Sequence, residues 1–443
     1  MTFAVTAIDP VADPTREQAS LQARVYSALE ELPDAYVRLF EETNQQSFFL
    51  TLPWFRNFVK TALDEGCSPR IYGIGPRDGL GPAAGMLMAC SLPRLRNATS
   101  LRKLSALTNY YSCFFAPHLS VSVGRTRETL HELTRAIGAE RPRWDAVEIQ
   151  PLGVNSEGFS ALVEGFKAAG FVVQTFFCFG NWYLAVNGRS FAQYVESLPS
   201  VLKNTLQRKQ RKLEKSGRAN VEIITGGEGL EPAIQAYTKV YLASWKRPEP
   251  YADFIPGLVR MCSEMGALRL GLVYVDGEAA AAQLWIVHGG VAFIYKLAYD
   301  ERFADLSVGT ILTARLMQHV LDIDKVDEVD YLSGDDSYKK DWMSHRRERW
   351  GILAMNPRTT RGALAICRHL SGRAMKRAFS WISGRLRPED KTVDATSTAV
   401  SGQGVSSFSP AARVVASSAY GSAVDGTLKN RLRRDFHYRD VIA

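Results

Sequence analysis

At 443 residues, with 46% hydrophobic and 23% charged side chains, the chain is too long for one ordinary core and too apolar for a disordered or fibrous protein. Its 54 basic and 46 acidic residues leave a formal charge of +8, which is concentrated rather than spread. Segments 203–218, 339–349, 358–377 and 385–443 carry +6, +3, +6 and +3, so the rest carries −10, an acidic body with basic stripes.

Six cysteines lie far apart with no CxxC pair, the pattern of buried thiols rather than of a disulfide framework or a zinc site. The opening MTFAVTAIDP has neither a basic nor an apolar signal region, and the longest uncharged stretch, 168–188, is interrupted by Gln174, Gly180 and Asn181. A reducing cytoplasm is the expected location.

In chain order, residues 1–20 lack periodicity and read as a loose arm. Apolar residues then recur at three and four over Leu21 to Phe40 and over Trp54 to Leu63, as on amphipathic helices. Ile71 to Ile74 and Ala83 to Cys90 read as strands around GPRDGLGP, followed by a helix at 127–138, a strand at 146–150, a helix at 159–169, and strands at 171–178 and 182–186. Beyond Asn187-Gly188 the pattern restarts. Helices are predicted at 191–198, 201–216, 231–245 and 254–265, with a short strand at 221–224. A three-strand meander at 268–275, 280–287 and 291–299 precedes a helix at 309–322, a strand at 328–332, a short helix near 336–343 and a strand near 349–355.

The segment 291–330 carries the chemistry. A strand ends at Tyr299, and Ser307-Val308-Gly309-Thr310 opens a helix whose free N–H groups and dipole favour an anion, with Gly309 letting a phosphate approach the backbone. The same residues also suit an ordinary Ser-capped helix. Asp330, Asp335 and Asp336 stand at or beyond a strand end, where like charges raise one another's pKa, or where they serve a solvated turn. Lys296, within an apolar strand, is either a buried donor to substrate or an amine reaching solvent past the strand. His288, His319 and His345 take no catalytic role, and no nucleophilic triad is recognisable.

Basic residues Lys203, Arg208, Lys209, Arg211, Lys212 and Lys215 surround a seam of Leu202, Leu206 and Leu213, a helix suited to a phosphorylated partner or to solvent. Over 361–382 a second basic amphipathic helix suits an anionic membrane surface or packing on the second half. From Gly384 the composition predicts a disordered tail.

The ordered segments LPSVLKNTLQRKQRKLEK, ASWKRPEP, YKLAYDERFADLSVGTILTARL and DYLSGDDSYKKDWMSHRRERW resemble the acyl-CoA N-acyltransferase (GNAT) superfamily. Within it, the likeness is to the branch named for the cellulose-biosynthesis acetyltransferase CelD, related to the Fem aminoacyl ligases. TNYYS at 108–112 and NWYL at 181–184 extend it upstream. The loop departs from the superfamily's Q/R-x-x-G-x-G/A, since Leu306 stands three residues before Gly309 and Thr310-Ile311 follow.

The resemblance implies an α/β (α+β) fold of two tandem GNAT-like domains with mixed central sheets, a C-terminal amphipathic helix and a disordered tail. The expected divisions are an arm and helix at 1–44, domains at 45–188 and 189–357, the basic helix at 358–384 and the tail at 385–443. It implies a donor arm lying where two central strands splay apart, with Tyr299, Leu306, Ser307, Val308, Gly309 and Thr310 as its contacts. Lys296, Asp330, Asp336 and Tyr338 are the catalytic candidates, Tyr338 as the acid. Asn109, Tyr110, Arg208, Arg211, Lys339 and Trp342 are the expected substrate contacts.

No metal and no tightly bound cofactor are expected, with acetyl-CoA or another acyl-CoA as co-substrate. The expected reaction is acyl transfer to an amino or hydroxyl group of a sugar-nucleotide, lipid-linked sugar or polysaccharide precursor, with peripheral contact at the inner membrane. The alternatives are a Fem-like ligase using aminoacyl-tRNA, the one setting in which nucleic acid is a partner, and a non-catalytic nucleotide-sensing module.

Overall fold

The computed structural model describes residues 20–92 and 100–369. Its first half comprises β1 (Leu21–Tyr26), α1 (Asp34–Thr43), α2 (Leu52–Thr61), β2 (Ser68–Pro76), β3 (Gly85–Ser91), β4 (Lys103–Ala106), β5 (His118–Leu119), α3 (Thr126–Ala139), β6 (Ala146–Gly153), α4 (Glu157–Ala168) and β7 (Val172–Ala185). After α5 (Phe191–Ser197) and α6 (Ser200–Ser216) come β8 (Ala219–Ile224), α7 (Leu230–Leu242), α8 (Phe254–Glu264), β9 (Leu268–Val275), β10 (Glu278–His288), β11 (Val291–Tyr299), α9 (Val308–Asp322), β12 (Glu328–Asp330), α10 (Lys339–Trp342) and β13 (His345–Met355). The compact unit ends at Ile366.

The strands form one mixed sheet in the order β1-β2-β3-β4-β6-β13-β7-β12-β11-β10-β9-β8, with β5 paired to β3. Counted inward from either end, the order repeats: β1 answers β8, then β2 β9, β3 β10, β4 β11, and β6 β12. The pairs β4/β6 and β11/β12 are both parallel. The two innermost strands are exchanged. β13 closes the first half against β6, and β7 closes the second half against β12, while β7 and β13 pair with each other from Val172↔Met355 to Tyr183↔His345. The sheet therefore runs through both halves without a break, and the fold is mixed α/β with two halves of matching strand order.

Three expectations change. Residues 21–26 form a strand, because pairing with β2 from Leu21↔Pro76 to Tyr26↔Ile71 overrides weak local helix periodicity. The helix begins only after Pro33, whose ring excludes a continuous helix through Leu32. Gly180-Asn181 is no turn: 172–185 is one strand, and Gly180 provides the space in which the Asp335 carboxylate lies against the backbone. The short strands β4 and β5 carry too few residues for a periodic signal.

Three cysteines, Cys90, Cys113 and Cys262, are buried as expected, Cys67 and Cys178 are half-buried, and Cys367 is exposed. Residues 360–369 are helical; the remainder of the expected helix at 358–384, the tail and the arm at 1–19 lie outside the described residues. Among the described residues no helix is long and apolar enough to cross a membrane.

His118 is fully buried against Phe40 and Phe55, at ring separations of 4.6 and 5.9 Å, and its Nδ1 shares a 2.7 Å hydrogen bond with Thr43. Burial lowers its pKa to about 3. Protonation therefore favours the unfolded chain, whose histidine titrates near 6.5, so the stabilisation is complete above that pH and is lost as pH falls from about 6.5 toward 3. The expected slope in urea denaturation is about 1.4 kcal/mol per pH unit, and His118→Phe removes it; an unchanged slope in that variant refutes the assignment.

Candidate functional site

β11 and β12 pair only from Val291↔Glu328 to Phe293↔Asp330. Beyond that point β11 stays with β10 as far as Tyr299, whereas the chain after β12 turns to β7: Tyr331 N–H donates to Trp182 O at 2.9 Å and Gly334 N–H to Gly180 O at 3.1 Å. Leu332 takes a left-handed φ of 56° at the departure. A wedge opens between 294–299 and 331–338.

At one end of this wedge stands the start of α9. A 3₁₀ turn over Glu301–Leu306 leads to Ser307, which has a φ of 56° and makes no capping bond through its side chain, so the Ser-cap alternative is set aside. The first helical bond is Ile311 N–H to Ser307 O at 3.1 Å, leaving the amides of Val308, Gly309 and Thr310 without an intrahelical acceptor. Buried Gln283 fixes this turn by donating to Gly309 O at 2.9 Å and Thr313 Oγ1 at 2.8 Å. A Cβ on Gly309 would stand 3.3 Å from the Tyr299 ring, and Trp245 lies on the same ring at 4.7 Å between centroids. Leu306 is half-buried and packs on the hydrophobic cluster that includes Val308, Leu312 and Leu316 of α9.

Along β11 the wedge meets two loops. From the first half, 108–113 is shaped by Asn109, which donates to Ala62 O at 2.9 Å and accepts from Tyr111 N–H at 3.0 Å. Tyr295 then donates to Tyr111 O at 3.0 Å. Lys296 donates to Tyr110 Oη at 3.2 Å, and its ammonium lies 4.4 and 5.0 Å from the Tyr110 and Tyr111 ring centroids. Asn109 is thus a loop former, and Tyr110 faces the Lys296 ammonium. From the second half, the loop following α7 brings Glu249 to 2.9 Å from Lys296. Pro248 and Pro250 flank this carboxylate and withdraw two backbone donors from its neighbourhood.

The Lys296–Glu249 pair is buried, with side chains 9% and 11% exposed, yet it lacks hydrogen-bond geometry. Both Glu249 oxygens are buried without a hydrogen-bond partner among the described residues. Burial, followed by the Glu249 charge, pushes the Tyr111 and Tyr241 hydroxyls up. Lys246, three residues before Glu249, is pushed down to about 8 by burial and then by the Lys296 charge. Lys296 is therefore a buried donor and not an amine reaching solvent.

On the opposite arm, Lys339 is buried, pairs with Asp336 at 3.2 Å, donates to Ser333 O and lies 5.2 Å above the Tyr331 ring. Burial lowers its pKa. Tyr338 packs edge-on against Tyr331 at 5.8 Å; burial and then the Asp336 charge push its hydroxyl up to about 12, although the residue is 44% exposed.

The three aspartates are held apart by separate partners. Each has its own cation: Arg347 for Asp330, Arg346 for Asp335 at 2.7 Å, and Lys339 for Asp336. Arg346 holds Asp335 below its ordinary range, the reverse of the expected shift. Asp330 is 1% exposed. Its Oδ1 accepts from Asn181 at 2.5 Å and from Leu332 N–H at 2.6 Å, and Oδ2 meets Arg347, which also reaches Asn181 at 2.7 Å and Glu328 at 2.6 Å. This network ties β7, β12 and β13 together, making Asp330 an anchor where a catalytic group was expected. Trp342 is likewise a core residue, 6% exposed, whose carbonyl accepts from Tyr194 Oη at 2.8 Å, in place of a substrate contact.

α6 packs on α9 through buried Leu206 and Leu213, and Lys209 donates to Asp305 O at 3.0 Å in the turn before α9. Arg208 and Arg211 are exposed on α6, outside the wedge cluster. Glu249, Lys246 and Tyr241 were absent from the expected site. For Glu249 and Lys246 the signal was a single carboxylate between two prolines in the basic-aromatic motif ASWKRPEP, which Tyr241 precedes. Among the described residues no group of acidic, histidine and cysteine side chains could hold a metal ion.

Residues 200–340 match the acetyltransferase (GNAT) domain family, a segment shorter than half of the chain. A solved structure described as FemX is similar over 73% of this chain and 96% of its own, at 12% identity and a TM-score of 0.51, which is a likeness of fold. A tandem GNAT protein from the clavulanic acid biosynthesis pathway aligns over 76% and 98%, at 11% identity and a TM-score of 0.44. L-PGS from Bacillus licheniformis aligns over 70% and 89%, at 11% identity and a TM-score of 0.40. No curated protein sequence matches the chain.

Proposed function

With a GNAT-type acyltransferase fold as premise, we propose that this chain moves an acyl group, acetyl first, from an acyl-CoA to an amino or hydroxyl group of a cell-envelope or exopolysaccharide precursor. The observation that carries the reading is the wedge between β11 and β12, with uncapped amides at one end and a buried Lys296–Glu249 pair along it. Leu306 to Thr310 and Tyr299 bind the donor, its phosphates on the amides of α9. Lys296 steadies the negative charge that develops on the carbonyl oxygen, and Glu249 takes the proton of the attacking group. Tyr110 and Asn109 shape the acceptor side from the first half, while Asp336, Lys339 and Tyr338 line the opposite arm.

A second reading, transfer from aminoacyl-tRNA, draws on the exposed Arg208, Arg211 and Lys215 of α6, a basic face beside the donor helix. One experiment separates the two. Titration calorimetry with acetyl-CoA is expected to give saturable 1:1 binding that Gly309→Phe weakens by about 100-fold or more, since a ring there collides with Tyr299 and covers the amides. Absence of binding across acetyl-, propionyl- and succinyl-CoA refutes the first reading. Retention of charged tRNA, lost in R208A/R211A, establishes the second.

A further inference from the structure

Lys246 differs from the other lysines beside the wedge. The other lysines of the cluster have partners: Lys296 has Glu249 and Tyr110, and Lys339 has Asp336 and Ser333 O. The Lys246 ammonium has neither a hydrogen bond nor an ion pair within reach among the described residues, only a distant position 5.7 Å from the Trp245 ring centroid. Its neighbour Trp245 lies against Tyr299, and Tyr299 lies against Gly309 at the start of α9. Lys246 therefore sits on the loop that links the donor end of the wedge to Glu249. The charges that act on it come from both arms: Lys296 on β11, Glu249 on its own loop, and Lys339 with Asp336 on the segment after β12.

We infer that Lys246 is the acid of the transfer step, giving its proton to the sulfur that leaves the acyl group. The inference rests on the acyl-CoA reading above. As the acceptor nitrogen or oxygen bonds to the thioester carbon, its proton passes to Glu249; the C–S bond breaks, its electron pair goes to sulfur, and the Lys246 proton makes the free thiol. Glu249 then holds a proton that Lys246 lacks, and its return between these neighbours on one loop restores the starting state. Supporting this, burial and the two other lysines place the Lys246 pKa at about 8, close to that of an ordinary thiol, where proton transfer to a departing thiolate is most effective. Tyr338, held up to about 12, is poorly matched to that task.

The experiment uses the full chain, hydroxylamine as surrogate acceptor and two donors, with thiol release as the readout. With acetyl-CoA, Lys246→Met is expected to lose about 100-fold or more in kcat, within the usual range for a general acid, while calorimetric binding of CoA changes less than about threefold. With S-(4-nitrophenyl) thioacetate, whose thiolate leaves without a proton, the same variant loses less than about threefold. The wild-type rate falls as pH rises through about 8, because the acid must be protonated, and the variant lacks that limb. Lys246→Arg keeps the charge but withholds the proton, and is expected to behave as K246M does. Equal losses with both donors, loss of CoA binding, or a limb removed by Tyr338→Phe instead of K246M overturns the assignment. Failure of the wild-type protein to bind acetyl-CoA sinks the acyl-CoA reading itself.

Discussion

Lys296→Met is expected to lower the unfolding free energy by about 3–5 kcal/mol, measured by urea denaturation, because it strands the Glu249 carboxylate in a buried site. Glu249→Gln should destabilise in turn, by leaving the ammonium to its aromatic contacts and the Tyr110 hydroxyl. K296M/E249L, which removes both charges, should recover most of the loss, since replacing a buried ion pair with apolar groups is often neutral. The two singles part company in function. E249Q, with the proton acceptor gone, should lose about 10²–10⁴-fold in turnover while still binding acetyl-CoA. A K296M variant as stable as wild type shows that water reaches the pair and that its charges are solvated.

The second large effect concerns Asp330. Removing its carboxylate in Asp330→Ala leaves the Asn181 amide, the Leu332 N–H and part of the Arg347 guanidinium without an acceptor at the β7–β12–β13 junction. The expected cost is about 3–5 kcal/mol, with Arg347→Met non-additive in a double-mutant cycle. Thiol release by D330A at low temperature, where it is still folded, should stay within about threefold of wild type, as a residue outside the chemistry requires. A folded but inactive D330A would return Asp330 to the role of a base.

Legibility followed range. Helices such as α2, α3, α4 and α9 were visible because their apolar positions recur along one face, and the meander β9 to β11 because its turns are Asp276-Gly277 and His288-Gly289-Gly290. β1 was lost to helix periodicity because its pairing with β2 spans about fifty residues of chain. Asn181 looked like a turn residue because its partners, Asp330, Leu332 and Arg347, are remote in sequence. Lys296 could be singled out as an ammonium in an apolar strand. Glu249 could not, since a glutamate among prolines and basic residues looks solvated until folding sets it against Lys296 and brings its charge to bear on four tyrosines, Tyr111, Tyr237, Tyr241 and Tyr295. The aspartate cluster misled for the opposite reason: neighbours in sequence, the three carboxylates are each claimed by a different cation.

The exchange of β7 and β13 sets an order of events during synthesis. β6 and β7 lie on either side of a slot that only residues 345–355 fill. While the ribosome is still making the second half, the first half holds two open strand edges and an incomplete sheet, the condition that invites pairing with foreign chains. A fragment ending before His345 should therefore aggregate or recruit chaperones, however well its own helices form. Neither half can mature first, and β13, the last strand among the described residues, makes both halves whole in one step.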